Sequence, residues 1–379
     1  MRGFLFLLLS ELYYMRNILT LFFFLVVING FGQIINTATM DTVESTRIGH
    51  LALGGYMDTY YGYNFNKPAS GNNPYFVTSN RHDEMNINLA YLDLRYKSTN
   101  FRFRFVPGFG TYMNFNYTNE EGTLKNIVEA SAGFRLSAKR AIWIDVGVFG
   151  SPYTNESAFS KDHLMYTRSY APESVPYYLS GIKVTVPLSE KWTSAFYLVN
   201  GWQVIQSNDK NKAVGTQVEF RPNKKMLFNW DTYIGNNKTT QSPDFRMRYF
   251  TDIYWIYKPS EKFDATSCVY IGFQERANTF TLNWWTANFI GRYHFTELLS
   301  LSGRIEYYSD GGVVQKSITG IPDFRSYSTG LCLNYKANHN ALVRLEGRQF
   351  FSPDNLYLSE NATPTQTSAL LIASITAWF

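Results

Sequence analysis

Charged residues, cysteines and long apolar runs are all scarce in this sequence. Asp, Glu, Lys and Arg make up only 17% of the 379 residues, against about 25% in a typical soluble domain. Past residue 32, no stretch approaches the roughly 18 apolar residues that a membrane-spanning helix needs, and the mean hydropathy is −0.23. This composition favours a transmembrane β-barrel, in which every second residue can be polar without touching lipid.

The cysteine count and the charge balance argue against further classes of protein. Cys268 and Cys332 are the only cysteines, too few for a disulfide framework, and we predict that their strands lie three apart. The net charge of +5 is small, and no Lys/Arg stripe of the kind that binds nucleic acid is present. The sequence also lacks a phosphate-binding glycine loop, a metal-ligand cluster and catalytic-triad spacing. We therefore expect no cofactor, no metal and no nucleic-acid partner.

Strand-like runs of 10–16 residues recur from Ile48 onward, and the connections between them alternate between short and long. The short connections are 97–100, 138–140, 188–191, 222–225, 258–262, 296–297 and 336–340. The long connections are 64–84, 118–125, 150–176, 202–211, 236–245, 275–279, 309–322 and 352–365. Seven turns and eight loops predict an all-β transmembrane antiparallel barrel of sixteen strands, with short periplasmic turns at one rim and longer extracellular loops at the other.

The last strand shows how the two faces of a strand differ. In "SALLIASITAWF", the alternate residues that end at Phe379 are all apolar, whereas the other row carries Ser374 and Thr376. A charge facing lipid at mid-membrane costs about 2–4 kcal/mol, so the polar rows must face the lumen. The two halves of the run 84–96 have their apolar residues on opposite parities. A β-bulge near Ala90 would bring them to the same face.

Aromatic residues gather at the ends of the predicted strands. They are Tyr60, Tyr61, Tyr63, Tyr177, Tyr178, Trp192, Trp202, Tyr254, Trp255, Tyr257, Trp284 and Trp285. Amphipathic rings prefer the headgroup level of a membrane, so we interpret these residues as two aromatic girdles. Ordinary β propensity is the alternative explanation.

The predicted lumen rows carry charges of both signs. The basic residues are Arg102, Arg104, Arg135, Lys183, Arg221, Arg246, Arg248, Arg292, Arg304, Arg344 and Arg348. The acidic residues are Glu129, Asp145, Glu219, Asp231, Asp252, Asp264, Glu306 and Glu346. We expect most of these charges to pair across strands. A dedicated anion site needs a one-signed ring at a constriction, so the slight basic excess predicts a weak anion preference at most.

The longest connection, residues 150–176, exceeds what a turn between strands needs, and such loops are often functional. Its charged residues are Glu156, Lys161, Asp162, Arg168 and Glu173. Folded inward, this loop would narrow the pore and set a field across it. The alternative is an external loop that leaves the pore open.

The N-terminal residues have the features of a secretory signal. A basic Arg16 precedes an apolar run, and small residues before Gln33 mark a cleavage site. Met15 is the start that this pattern favours. The predicted organisation is a signal peptide at 1–32, a short periplasmic segment at 33–47 and the barrel at 48–379.

Two stretches carry more than a generic barrel pattern. They are "LGGYMDTYYGYNFNKP" (53–68) and "APESVPYYLSGIKVTVPLSEKWTSAFYLVNGWQ" (171–203). Together they resemble the OmpL-like β-barrel porin family of Gram-negative bacteria, across about 48–379. The resemblance implies an outer-membrane channel for small hydrophilic solutes, with no catalytic residues to carry over.

The same resemblance implies partners. The terminal Phe379 resembles the mark that outer-membrane barrels present to the assembly machinery that inserts them, although Ala377 departs from the aromatic often found two residues before the end. The lipid bilayer and lipopolysaccharide are the expected surroundings. A homo-oligomer is possible through a smooth outer face that contains Ala369, Ala373 and Ala377.

Two other functions stay open from the sequence. A structural or adhesive barrel with a blocked lumen would show the same strand pattern. An outer-membrane hydrolase would need Ser and His on the outer wall or Asp/His pairs at the rim. Here His50 and His294 fall on predicted lumen rows, and only "RHDE" (81–84) and "KDH" (161–163) suggest rim pairs. We therefore expect no enzyme activity.

Overall fold

The computed structural model describes residues 46–48, 50–137, 139–207, 210–277, 279–315 and 318–379. The proposed signal peptide and nearly all of the segment 33–47 lie outside these residues. The strands are β1 Thr46–Ile48, β2 Leu51–Asn64, β3 Met85–Lys97, β4 Phe101–Phe109, β5 Ile127–Arg135, β6 Trp143–Gly150, β7 Tyr178–Pro187, β8 Trp192–Val199, β9 Ala213–Asn223, β10 Met226–Asn236, β11 Phe245–Ser260, β12 Phe263–Arg276, β13 Leu282–His294, β14 Leu299–Asp310, β15 Phe324–Asn338, β16 Ala341–Phe351, β17 Tyr357–Leu358, β18 Pro364–Thr365 and β19 Thr367–Trp378.

Sixteen of these strands, β2–β16 and β19, form a closed antiparallel barrel. β19 closes it by pairing with β16 on one side and β2 on the other, so that Ile375 lies opposite both Val343 and Thr59. The predicted sixteen-stranded antiparallel barrel is confirmed. The short β1 pairs with β2, and β17 and β18 form a small hairpin within the last loop.

The chain end is held where the barrel closes. Phe379 and Gly55 exchange two backbone hydrogen bonds, of 3.0 and 3.1 Å. A Cβ on Gly55 would lie 2.1 Å from the Phe379 ring, so the ring packs in the space that the glycine leaves. The terminal aromatic is therefore part of the seam that closes the barrel.

Burial alternates along the strands as the period-two pattern predicts. On β15, for example, Ser328 and Cys332 are buried inside, whereas Leu331 is 61% exposed on the outer wall. The predicted bulge near Ala90 is present as a register shift: Asp58 lies opposite Leu89 and Thr59 opposite Ile87, which leaves one extra residue on β3.

The second long loop is longer than predicted. β4 ends at Phe109, and residues 111–116, predicted as strand, form a short helix, Thr111–Asn116. Gly110 causes the break because its φ of 134° favours glycine, and a Cβ there would lie 2.4 Å from the Asn88 carbonyl oxygen. The other helical turns are Gly122–Asn126, Ser160–Asp162 and Tyr170–Glu173. None of the helices in the described ranges is long and apolar enough to cross a membrane.

The aromatic girdle prediction is wrong for several of its members. Tyr60, Tyr178, Trp202, Tyr254 and Trp284 belong to or pack against the buried interior clusters. Neighbouring strand residues point to opposite faces, so a pair such as Trp284 and Trp285 places one ring inside and one outside. The two cysteines are buried and free, on β12 and β15, three strands apart.

Candidate functional site: the barrel interior

The charged residues predicted on the lumen face divide by exposure. Buried are Glu129, Asp145, Glu219, Asp231, Arg248, Asp252, Arg304, Glu306, Arg344, Glu346 and Arg348. Partly exposed are Arg102, Arg104, Arg135, Lys183, Arg221, Arg246, Asp264 and Arg292. Of these, Arg246 lies at the long-loop rim, because its guanidinium donates to the carbonyls of Pro243 and Phe245.

Four of the buried charges form one network on β14 and β16. Arg348 donates to Glu306 at 2.5 Å, and Arg304 lies 3.2 Å from both Glu306 and Glu346. All four side chains are at most 1% exposed. Buried ions are tolerated only when they are paired and hydrogen-bonded, so this network holds two guanidinium groups and two carboxylates in place on the interior wall.

A second network lines β3 to β6. Arg104 bridges Asp93 at 2.7 Å and Glu129 at 2.9 Å, and Arg102 pairs with Asp145 at 2.5 Å. Asp93, which also pairs with Arg95 at 2.6 Å, was not among the predicted lumen residues, although the bulge that turns it inward was predicted. The basic groups here are 18–29% exposed, so this side of the interior is more open than the first network.

A third group consists of carboxyl side chains only. Asp231 on β10 lies directly opposite Asp252 on β11, and both are at most 1% exposed. The Oδ1 atom of each has no hydrogen-bond partner in the described part of the chain. The remaining oxygens are used: Asn229 donates to Asp231, and the Thr154 N–H donates to Asp252 at 2.7 Å.

The loop that supplies Thr154, residues 151–177 between β6 and β7, is here called the inner loop. It leaves the wall at Gly147 and Gly181, which lie opposite each other, with φ of 133° and 153°. A Cβ on Gly181 would lie 2.2 Å from the Leu198 carbonyl oxygen. β6 and β7 stay paired with each other beyond this point, whereas the pairing of β6 with β5 ends at Val148 and that of β7 with β8 ends at Gly181. The end of this hairpin therefore separates from the wall and turns inward.

The outgoing half of the inner loop crosses to the far wall. Asn155 bonds to Thr266 on β12 and to Asn288 on β13, each at 3.0 Å. Ser160 bonds to Tyr56 on β2 at 2.9 Å and to Thr376 on β19 at 3.1 Å. These strands lie four to six positions from the β6–β7 hairpin around the sixteen-stranded ring, so the inner loop extends across the interior.

The returning half is held by the carboxylates of the first network. Glu346 accepts the N–H groups of Tyr166 at 2.8 Å and Thr167 at 2.9 Å. Glu306 accepts the Tyr170 N–H at 2.6 Å, and Arg344 donates to the Ser160 carbonyl at 2.7 Å. The wall charges predicted to line a pore therefore bind the backbone of the inner loop.

The loop's own charges are mostly satisfied within it. Arg168, 1% exposed, donates to the carbonyls of Ser157, Tyr166 and Ala158, and Glu156 accepts the Ser169 N–H at 2.9 Å. Glu173 accepts the Val77 N–H at 2.7 Å, which joins the inner loop to the first long loop, and burial raises the pKa of its carboxyl. Lys161 and Asp162 pair at 3.3 Å.

Aromatic side chains from the first long loop, the inner loop and the wall pack against one another, and the sequence did not predict them as a group. Phe76 stacks on Tyr170 at 5.3 Å, and Tyr170 stacks on Tyr308 at 5.3 Å. The Arg348 guanidinium lies 4.6 Å from the Phe76 ring centroid and 4.5 Å from that of Phe350. Their spacing within loops has no period, so only the parity of Tyr308 and Phe350 on their strands signalled an inward position.

Four of the five histidines make local contacts. The His82 ring accepts the Asn64 N–H at 3.0 Å, and the His163 ring accepts the Ser157 N–H at 2.8 Å. His294 pairs with Asp264 at 2.8 Å, whereas His50, predicted to face the lumen, is exposed at the short-turn rim beside Tyr96. No group of three or more His, Cys, Asp or Glu residues in the described ranges could hold a metal ion.

Solved structures with a similar fold are outer-membrane proteins and porins. Outer-membrane expressed OmpT of Vibrio cholerae has a TM-score of 0.58 at 11% identity, covering 89% of this chain and 100% of that chain. The anion-selective porin from Comamonas acidovorans has a TM-score of 0.57 at 9% identity, with coverage of 87% and 99%. The outer membrane channel DcaP of Acinetobacter baumannii has a TM-score of 0.57 at 9% identity, with coverage of 86% and 96%. At these identities the likeness shows a shared fold.

A search of curated protein sequences finds no match to the chain. A family model does match, and it covers residues 50–379, the entire barrel. Its description is "Putative beta-barrel porin-2, OmpL-like". The chain therefore belongs to the OmpL-like family of outer-membrane β-barrel porins.

Proposed function

We propose that the protein is a passive pore for small hydrophilic solutes, in which the inner loop narrows the conducting path. One observation carries this proposal: the inner loop spans the interior of a sixteen-stranded barrel and is bonded to walls on β2, β11–β14, β16 and β19. A barrel of this size encloses an aqueous channel unless something fills it, so this loop sets how much of the channel is free.

We also propose a weak preference for anions. The partly exposed interior charges that the wall offers to solutes include Arg102, Arg104 and Lys183, while their partners Asp93 and Asp145 are buried. The similar fold of an anion-selective porin agrees with this proposal. Because the cations are paired, the preference is small, and it is screened at high salt.

Single-channel conductance in a planar bilayer tests the proposal. The refolded protein is compared with a variant that lacks residues 155–170 and with a control that lacks 239–242, an exposed stretch of another loop. We expect stable steps from the wild type, larger steps from the first deletion and unchanged steps from the control. Equal steps from all three proteins would contradict narrowing by the inner loop.

A second function is supported by a specific observation, the filling of the long-loop half of the interior. Tyr75, Phe76, Tyr170 and Tyr357 come from three different loops and pack against one another. A barrel closed in this way would act as a structural or adhesive protein. Folded wild type that conducts no current in the bilayer experiment would favour this function over the pore.

The remaining expectations are proposals of the same kind. We propose that the protein has no catalytic activity, since His82 and His163 are used as acceptors for loop amides. We propose that the assembly machinery recognises the last strand through Phe379, and that the outer face with Ala373 contacts a second copy in a homo-oligomer. Crosslinking of the native membrane tests the oligomer: a single-copy band alone would contradict it.

A further inference from the structure

The register of two neighbouring strands brings Asp231 and Asp252 together. They lie directly opposite each other on β10 and β11, and both side chains are buried in the barrel interior. Side chains at directly opposite positions have Cβ atoms about 4.5–5.5 Å apart, and these two carboxyls lie within hydrogen-bond distance of each other. The pair is therefore a contact between two acids that is shielded from water.

No basic side chain neutralises this contact. The titratable and charged groups around it are Tyr197 on β8, Glu219 and Arg221 on β9, Tyr233 on β10, Tyr254 on β11, Cys268 and Tyr270 on β12, and Tyr153 in the inner loop. Arg221 is the one cation in this set, and its guanidinium is paired with Glu219 at 3.5 Å. The two aspartates therefore have no ion-pair partner in the described part of the chain.

The hydrogen bonds of the pair leave one acceptor oxygen on each side chain unused. Asn229 donates to Oδ2 of Asp231, and the Thr154 N–H donates to Oδ2 of Asp252 at 2.7 Å. Both Oδ1 atoms are buried and receive no hydrogen bond from the described residues. Two carboxylates are acceptors only, whereas a protonated carboxyl donates one hydrogen bond. A single proton on the pair would supply the missing donor.

A proton fits this site better than a metal ion does. A hard cation such as Ca²⁺ takes about six to eight oxygen ligands, but one oxygen of each carboxyl already accepts an N–H group. Ionisation of both acids without a cation would put two negative charges in contact in a buried site, which is strongly unfavourable. One proton removes this repulsion and needs no further ligand.

Asp252 connects the pair to the inner loop. The Thr154 N–H that it accepts belongs to a residue with a φ of 68°, a left-handed conformation that few non-glycine residues adopt. The Thr154 hydroxyl donates to the Glu156 carbonyl at 3.1 Å in this conformation. The hydrogen bond to Asp252 therefore holds the first residues of the inner loop in a constrained turn against the wall.

We propose that Asp231 and Asp252 hold one proton between them at neutral pH, and that this proton keeps the start of the inner loop attached to the wall. The proposal does not depend on conduction through the barrel, because a barrel closed to solutes would hold the same proton. It predicts that ionisation of the pair at alkaline pH frees the inner loop at Thr154.

Infrared difference spectroscopy tests the shared proton. The refolded wild type is compared at pH 7.5 with the double variant Asp231→Asn/Asp252→Asn, after dialysis of both against EDTA to remove divalent cations. We expect the variant to lose one protonated-carboxyl band and one carboxylate band. Loss of two carboxylate bands, or of two protonated-carboxyl bands, would overturn the proposal.

The single variant Asp231→Asn serves if the double variant does not fold. Its amide supplies the donor that the proton supplies in the wild type, so we expect it to lose the protonated-carboxyl band and to keep the carboxylate band. Retention of the protonated-carboxyl band would also overturn the proposal.

Asp145→Asn is the matched control. Asp145 is also buried on the interior wall, but it is paired with Arg102 at 2.5 Å, so we expect this variant to lose a carboxylate band only. Loss of a protonated-carboxyl band there as well would show that burial alone holds protons on these walls, and it would overturn the assignment to the acid pair.

The reactivity of the buried Cys268 thiol tests the attachment of the loop. Cys268 lies on β12, the strand next to Asp252, and the change Cys332→Ser makes it the only thiol in the chain. The rate of its modification by a maleimide is measured at pH 8 and pH 9, with and without Asp231→Asn.

The ratio of the two rates is the quantity that decides, because ionisation of the thiol itself affects both proteins. One pH unit raises the ionised fraction of a mostly protonated group about tenfold, so we expect the rate without Asp231→Asn, relative to the rate with it, to rise by up to about tenfold. A constant ratio would overturn the attachment of the inner loop by the shared proton.

Discussion

At the long-loop end of the barrel, side chains from several loops meet in the interior, whereas at the short-turn end the interior opens into a cavity of about 520 Å³. Tyr75 packs on Phe324 at 4.7 Å in the closed end. The open end is lined by Lys225, Lys258, Ser260, Glu261, Asp264 and His294. One end of the same cylinder is filled with aromatic rings, and the other has a cavity lined by charged and polar side chains.

Connection length explains this difference. The inner loop and the loop 65–84 are long enough to cross the interior, and their apolar side chains leave water when they pack there. A turn such as 261–262 cannot reach inside, so the wall charges at that end pair with one another or meet solvent. The loop end therefore depends on buried contacts, and the turn end on exposed ion pairs that contribute less.

The largest effect is expected from loss of a buried carboxylate that binds the inner loop. Glu346→Ala removes the acceptor for two inner-loop N–H groups and leaves Arg304 without one of its buried partners. We expect a decrease of about 3 kcal/mol in the free energy of unfolding, measured by urea titration with tryptophan fluorescence. The control at the short-turn end is Asp264→Ala, whose hydrogen-bond partner His294 is 27% exposed, and we expect it to cost less than about 1 kcal/mol. Similar losses in both variants would show that the two ends do not differ in this way.

A smaller loss of stability is expected from a substitution at the bend where the inner loop leaves the wall. Gly181→Ala places a Cβ against the Leu198 carbonyl oxygen at a φ of 153°, so we expect a loss of about 2 kcal/mol and a larger single-channel step as the loop is displaced. Gly347→Ala is the matched control, because no atom lies within 4 Å of the added Cβ. An unchanged melting temperature in Gly181→Ala would rule out a constrained hinge at this position.

The smallest expected effect depends on pH and arises within the inner loop. Burial, and then the nearby guanidinium of Arg168, lower the pKa of His163 well below its usual value. The folded protein therefore binds fewer protons than the unfolded chain, so the full stability is present above pH ~6.5, the ordinary histidine pKa, and declines as the pH falls below it. Protonation would also end the acceptance of the Ser157 N–H.

Thermal melts at pH 7.5 and pH 5.5 measure this effect. We expect the wild type to lose more stability between the two values than His163→Gln, whose amide oxygen can accept the same N–H at either pH. An equal drop in both proteins would assign the pH dependence to other groups.

The alternation of inward and outward residues along the strands was predictable from the sequence, and it identified many of the side chains on the interior wall. The row containing Arg344, Glu346 and Arg348 alternates strictly with apolar residues, and the wall buries this row. Parity also separates Trp284 from Trp285, but treating all strand-end aromatics as girdle residues ignored it. The helix at Thr111–Asn116 was missed because the run that contains it is as aromatic as a strand, and the break depends on the single residue Gly110.

The position of the inner loop was not readable in the same way. Its length favoured a fold into the interior, but its partners are distant in the sequence: Glu346 lies 180 residues from Tyr166. The inner loop leaves the wall at Gly147 and Gly181, and nothing in the sequence marks these two glycines. Their role depends on the pairing of β6 with β7, which places them opposite each other. The juxtaposition of Asp231 and Asp252 likewise depends on the register between two strands.

The number of strands, the face that most strand residues take and the two kinds of rim are encoded locally in the chain, because they follow from a period of two and from connection lengths. The tertiary structure alone decided what fills the barrel. Which wall carboxylate accepts which loop N–H depends on register and on the path of a loop through space, and neither leaves a local pattern in the chain.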